Sequence, residues 1–157
     1  MRQSDPKGGT EDDTGPARRP RRRYALDAQA GFLLRKAQQR HLSIFSAHMA
    51  EGLTAQQFAA LAKLAEVGPS SQNALGRQTA MDNSTINGVV KRLIQRGLVE
   101  KSPSEEDHRL HMLRLTDEGW RVHERVVPLA GEITRLTLAP LSSSEQATLL
   151  RLLRKIG

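Results

Sequence analysis

The sequence predicts a mainly α fold with one small β-hairpin, and three observations carry that expectation. Apolar residues recur at helical spacing through most of residues 24–157. Helix-start signals punctuate them: the capping boxes Thr54-x-x-Gln57 and Ser142-x-x-Glu145, and the N-cap residues Ser71, Asp82 and Thr116. Between the runs that follow Asp82 and Thr116, two short strand-like segments flank a polar loop.

Residues 1–23 stand apart. They contain Pro6, Pro16 and Pro20, show no apolar periodicity, and end in the basic cluster Arg18, Arg19, Arg21, Arg22 and Arg23. Such a stretch cannot bury enough apolar surface to offset ordering, so a disordered basic arm is expected. Two roles stay open for it, an arm that follows a DNA backbone or enters a minor groove, and a solubilising tail.

From Tyr24 to about Ala50, apolar positions such as Leu26, Ala30, Leu33, Leu34, Ala37, Ile44 and Phe45 predict one long helix ended by Gly52. The next helix opens at Thr54, with Leu53 and Phe58 as a hydrophobic staple, and stops at Gly68-Pro69. Ser71 caps a short helix over 72–78. Asp82 caps another, whose staple is Met81 with Ile86 and whose apolar stripe is Ile86, Val89, Val90, Leu93 and Ile94. Gly97 ends it. Leu98–Lys101 and Leu110–Leu115 then read as paired strands around the loop 102–109. Thr116 caps a helix that Pro128 is expected to kink or break. The last helix carries Leu149, Leu150, Leu152, Leu153 and Ile156, more apolar surface than one small domain can cover.

Composition narrows the function. Lys plus Arg number 24 against 17 Asp plus Glu, a net charge of +7, which suits a polyanionic partner. The only aromatics are Tyr24, Phe32, Phe45, Phe58 and Trp120, too few for a platform that stacks single-stranded bases. The chain has no cysteine, which excludes disulfides, thiolate metal sites and thiol redox sensing. No apolar run reaches the roughly 20 residues of a membrane span, and no signal peptide is visible. A soluble cytoplasmic protein with no membrane partner is expected. No phosphate loop, nucleophile elbow or His-Glu-x-x-His motif is present, so neither an enzyme nor a cofactor is expected. His41 and His48 share a helix face but lack a carboxylate to complete a metal site.

A short helix, a tight turn and a second helix with a small-polar and basic outer face form a helix-turn-helix pattern. Opposite the apolar stripe lie Ser84, Gly88, Lys91, Arg92 and Gln95, flanked by Thr85 and Asn87. Short polar side chains near a helix N-terminus suit base edges and phosphates in a major groove. Gly88 in mid-helix costs roughly 1 kcal/mol against alanine, which points to close approach of a surface.

The run Met81-Asp82-Asn83-Ser84-Thr85-Ile86-Asn87-Gly88-Val89-Val90-Lys91-Arg92-Leu93, then Arg96-Gly97-Leu98-Val99, resembles the recognition helix of MarR-family winged helix-turn-helix regulators. Asp107-His108-Arg109 is similar to that family's wing motif, and Leu115-Thr116-Asp117-Glu118-Gly119 to the turn after the wing. The resemblance spans roughly residues 30–157. It implies an intertwined homodimer divided into a dimerisation helix (24–52), a winged DNA-binding domain (53–115) and C-terminal dimerisation helices (116–157). By the same resemblance, Ser84, Thr85, Asn87, Gly88, Lys91 and Arg92 face the major groove of a pseudo-palindromic operator. Arg109 enters the minor groove and Asp107 positions it; the alternative for these two is a surface ion pair.

The family implies a small effector held between the dimerisation helices and the winged domain. The first helix is similar to members that control aromatic-acid catabolism. Its candidate effector residues are Arg35, His41, Phe45 and His48, which suit an aromatic carboxylate or its CoA thioester. Alternatively, these side chains pack at the dimer interface. A ligand-responsive regulator, a repressor, is the leading expectation. A constitutive architectural DNA binder without an effector is the alternative.

Overall fold

The computed structural model describes residues 24–103 and 111–157. The basic arm, the wing tip and the candidate pair Asp107 and Arg109 lie outside the described residues. Six helices and one hairpin follow in the order α1 (Ala30–His48), α2 (Ala55–Val67), α3 (Gln72–Gln78), α4 (Asn83–Gln95), β1 (Val99–Pro103), β2 (His111–Leu115), α5 (Asp117–Leu138) and α6 (Ser143–Ile156). A single 3₁₀ turn, Leu26–Ala28, precedes α1.

The interior helices start where their caps predict. Thr54 Oγ1 accepts from Gln57 N at 3.2 Å, while Gln57 Oε1 accepts from Thr54 N at 3.0 Å, a closed capping box. Ser71 and Asp82 cap α3 and α4 in the same way, through Ala74 N and Thr85 N. Leu53 is buried and Phe58 packs against the core, as the staple requires.

The helix expected from Tyr24 instead starts at Ala30. Gln29 is extended (φ −85°, ψ 128°) and Tyr24 is 75% exposed. Tyr24 and Leu26 find no covering partner among the described residues, and propensity alone does not extend a helix.

The helix through Pro128 continues unbroken to Leu138. Proline leaves the carbonyl of residue i−4 without its bond. Glu124 and Pro128 both face solvent, where water can satisfy that carbonyl, and Val126 and Ile133 stay buried on the opposite side.

The first strand sits one to two residues later than expected, the second ends at Leu115 as expected with Leu110 outside the described residues, and the two pair antiparallel from Val99↔Leu115 to Pro103↔His111. An isolated bridge joins Ser70, just before the N-cap of α3, to Leu113.

One core unites α2, α3, α4, the hairpin and the first half of α5. Leu61, Leu75, Ile86, Leu93, Leu113 and Val126 are each at most 1% exposed within it. This unit is called the head. Helix α1 packs along α5, with His41 on Thr137 of its second half, and α6 lines a groove with both; α1, the second half of α5 and α6 are called the arm.

Candidate nucleic-acid interface

Helix α4 is split cleanly into two faces. Ile86, Val89, Val90 and Leu93 are buried in the head, while Ser84, Asn87, Lys91 and Arg92 are exposed. With 3.6 residues per turn, burying one stripe forces the other outward. Four of the six helix residues expected to read DNA are exposed on this side, while Gly88 at its centre and Thr85 at its margin are half-buried.

The N-terminus of α4 is locked by Asp82. Its carboxylate accepts from Thr85 N at 2.7 Å and from Thr85 Oγ1 at 3.0 Å. The backbone N–H of Thr85, then its hydroxyl, hold the Asp82 carboxyl below the ordinary aspartate range. Thr85 thus spends its hydroxyl proton on Asp82 and offers only lone pairs outward. It can accept a hydrogen bond from a base but has no proton left to donate.

At Gly88 an added Cβ meets only Arg92 Nη1, at 4.0 Å. Among the described residues, packing does not require glycine there.

Other glycines have internal reasons that local sequence reading missed. A Cβ on Gly76 lies 3.2 Å from the Met81 carbonyl and 3.3 Å from Ile86 Cγ2, so the bare Cα lets α3 close on the turn into α4. Ala80 supplies the left-handed residue (φ 53°) of that turn, and Met81 N donates to the Gly76 carbonyl at 2.9 Å. On Gly119 a Cβ falls 2.0 Å from the Leu98 carbonyl oxygen. Thr116 ties the same joint by accepting from Gly119 N at 3.0 Å and donating to the Gly97 carbonyl at 2.6 Å. The first turn of α5 is thereby seated on the link between reading helix and wing. A glycine three residues after a capping threonine was the available signal for this contact.

The four candidate effector residues do not converge. His41 lines a groove of about 350 Å³ between α1, α5 and α6, with Leu34, Gln38, Thr137, Leu138 and Leu149 on its walls. Phe45 stacks near His41 (ring centroids 6.2 Å apart) but is buried against Phe58. His48 is solvent-exposed two turns further along, and its Nδ1 bonds to the Ile44 carbonyl at 2.9 Å. Arg35 is exposed and does not line the groove, because six residues on an α-helix place it about 120° from His41.

Gln38 also opens onto a second cleft of about 380 Å³, where Leu42 of the arm faces Ala59, Ala80, Asp82 and Thr85 of the head.

A family model described as the MarR family matches residues 51–110. The HTH-type transcriptional repressor NicR of Pseudomonas putida is 41% identical over 134 residues, 85% of each chain. Two solved structures share the fold. The PcaV transcriptional regulator of Streptomyces coelicolor, in complex with its natural ligand, matches with a TM-score of 0.78 and 37% identity, covering 85% of this chain and 94% of that one. BpsR of Bordetella bronchiseptica, whose DNA binding is regulated by 6-hydroxynicotinic acid, matches with a TM-score of 0.80 and 37% identity, covering 85% and 96%. The two-faced α4, the hairpin beside it and these relatives together establish that the chain belongs to the MarR family of winged helix-turn-helix transcriptional regulators.

Proposed function

We propose that this regulator is a repressor that binds a pseudo-palindromic operator as a homodimer and is released by a small aromatic acid. The observation that carries the reading is the outward face of α4, where Ser84, Asn87 and Lys91 stand free while the reverse face is buried. Asn87 is suited to a bidentate contact with adenine, and Lys91 and Arg92 to guanine or phosphate. Arg109, with Asp107 beside it, would add a minor-groove contact from the wing. The protein would act in the cytoplasm, by binding and without catalysis.

Dimerisation is supported by the arm. Leu150, Leu153 and Ile156 are 36%, 38% and 73% exposed, and α6 has no buried residue. A second copy would cover this surface and set the two α4 helices about one DNA turn apart.

The effector reading rests on His41. Thr137 Oγ1 donates to the Ile133 carbonyl at 2.8 Å, so at 3.0 Å it accepts from His41 Nδ1–H. In that tautomer Nε2 carries the lone pair, which suits a ring hydroxyl or ring N–H. A hydroxylated benzoate or hydroxynicotinate has such a group and an apolar ring for the leucines of the groove. Arg35 lies outside this groove within one chain, and it enters the test as the candidate that the sequence offered for the carboxylate.

The test is an operator titration of wild type, His41→Ala and Arg35→Ala. The panel is 6-hydroxynicotinate, hydroxybenzoates, cinnamates and their CoA thioesters. One compound should release wild type, and His41→Ala should bind operator but resist release. If no compound releases wild type, the constitutive architectural alternative takes its place. If Arg35→Ala responds as wild type does, the carboxylate lies elsewhere.

A further inference from the structure

Glu51, in the turn between α1 and α2, has a left-handed backbone (φ 61°) and is followed by Gly52 at φ 59°. A residue with a Cβ is strained there and persists when its surroundings over-determine it. Contacts from two other elements do so. Arg96, the C-cap of α4, donates from Nη2 to the Glu51 carbonyl at 2.5 Å. Arg125, in α5, donates from Nε to the Glu51 carboxylate at 2.9 Å. Arg125 also reaches Glu118 at 3.5 Å, and Glu118 is held in turn by Arg121.

One residue therefore joins three elements that sequence distance keeps apart. They are the exit from α1, the end of the reading helix and the middle of α5, the helix that runs from head to arm. The side chains of Glu51 and Arg125 are 32% and 50% exposed, so the pair adds little to overall stability. Its effect is geometric: Arg96 and Arg125 both belong to the head, so a swing of α1 that carries its exit at Glu51 must break these contacts.

We propose that Glu51 is a positioning residue for DNA binding, a brace that fixes the angle between the arm and α4. The proposal rests on the reading that α4 docks on DNA, and its test separates the two.

Glu51→Gly removes the carboxylate while placing at φ 61° the residue that best tolerates it. The thermal midpoint should hold or rise, while operator affinity falls about tenfold. Loss of a negative charge near DNA would by itself tighten binding, so a fall has the sign of lost positioning. Glu51→Gln keeps an oxygen for Arg125 and should recover most of the affinity. Arg125→Ala should match Glu51→Gly, and the double variant should lose no more than either.

Because the chain has no cysteine, Gln39→Cys and Gln78→Cys, both exposed, can carry spin labels on arm and head. Labelled chain diluted into excess cysteine-free chain should give a narrow distance distribution that Glu51→Gly broadens. That measurement needs no DNA. If wild type binds no operator yet the distribution broadens, the docking reading fails and the brace stands. An unbroadened distribution, an affinity that follows the thermal midpoint downward, or additive losses in the double variant would overturn the brace.

Discussion

The head and the arm solve the problem of apolar surface in opposite ways. In the head, every residue of the α4 stripe from Ile86 to Leu93 is buried by the same chain. In the arm, Leu33, Leu34, Leu152 and Ile156 stay exposed, and Phe45 is the one buried residue of α1. Burial of such side chains is worth roughly 1.5–3 kcal/mol each, so an arm that leaves several of them wet is incomplete as a single chain. The head carries the reading surface and is finished internally. The arm carries the assembly surface and awaits a partner.

The strongest way to break this comparison is to spoil the arm alone. Leu150→Glu with Leu153→Glu places two carboxylates on the exposed apolar face of α6. The protein should cease to sediment as a dimer and lose operator binding altogether, since half an operator gives little affinity. A variant that still sediments as wild type would show that this face is not the interface.

Next in size is a change within the head, where the first turn of α5 sits on the link between α4 and the hairpin. Gly119→Ala forces a Cβ onto the Leu98 carbonyl, 2.0 Å away, and backbone cannot yield as a flexible side chain can. A loss of about 3 kcal/mol in urea unfolding is expected. Gly131→Ala, on the arm half of the same helix, meets nothing within 4 Å and should be neutral or slightly stabilising. Equal losses at both positions would show that α5 tolerates alanine poorly for some reason other than this contact.

On the reading face, Asn87→Ala should leave folding unchanged. It should relax base preference at one position per half-site, at a cost of roughly 1–3 kcal/mol on the operator. Fluorescence anisotropy against operator and random duplexes separates the two effects. An equal drop on both duplexes would reassign Asn87 to the phosphate backbone.

The same division explains what the sequence made legible. In the head, the determinants are local: Thr54 with Gln57, Ser71, Asp82 and Thr116 each place a helix start, and the 3.6-residue period of Ile86–Leu93 names the opposite face. Those signals act within one turn of chain, so reading along the sequence recovers them. Gly76, Gly119 and Glu51 act through approaches between elements, up to 74 residues apart for Glu51 and Arg125, and periodicity holds no trace of that. In the arm, even local reading misplaced the start of α1. The apolar pattern from Tyr24 to Ala28 stays uncovered among the described residues. The effector residues failed to converge for a related reason. A helical stripe says which residues share a face, but not that Phe45 turns inward while His48 folds back on Ile44.

The smallest expected effect compares one carboxylate from each region under acid. Asp82 in the head and Glu145 in the arm are both held below their ordinary ranges, foremost by a backbone N–H: that of Thr85 for Asp82 and that of Ser142 for Glu145. A carboxylate with a depressed folded pKa contributes stability that is fully present above its unfolded value, about 4. That contribution is lost as pH falls through the lower folded value. Thermal midpoints followed by circular dichroism should therefore decline below about pH 4.5. Asp82→Asn keeps an oxygen to cap Thr85 N but does not titrate, and Glu145→Gln does the same for Ser142 N. Each variant should flatten the acid limb relative to wild type. If head and arm unfold as one cooperative unit, both should flatten the same transition. If the arm comes apart first, only Glu145→Gln should alter the earlier step, and only Asp82→Asn the later one. Acid limbs parallel to wild type in both variants would show that these caps have no part in the pH dependence.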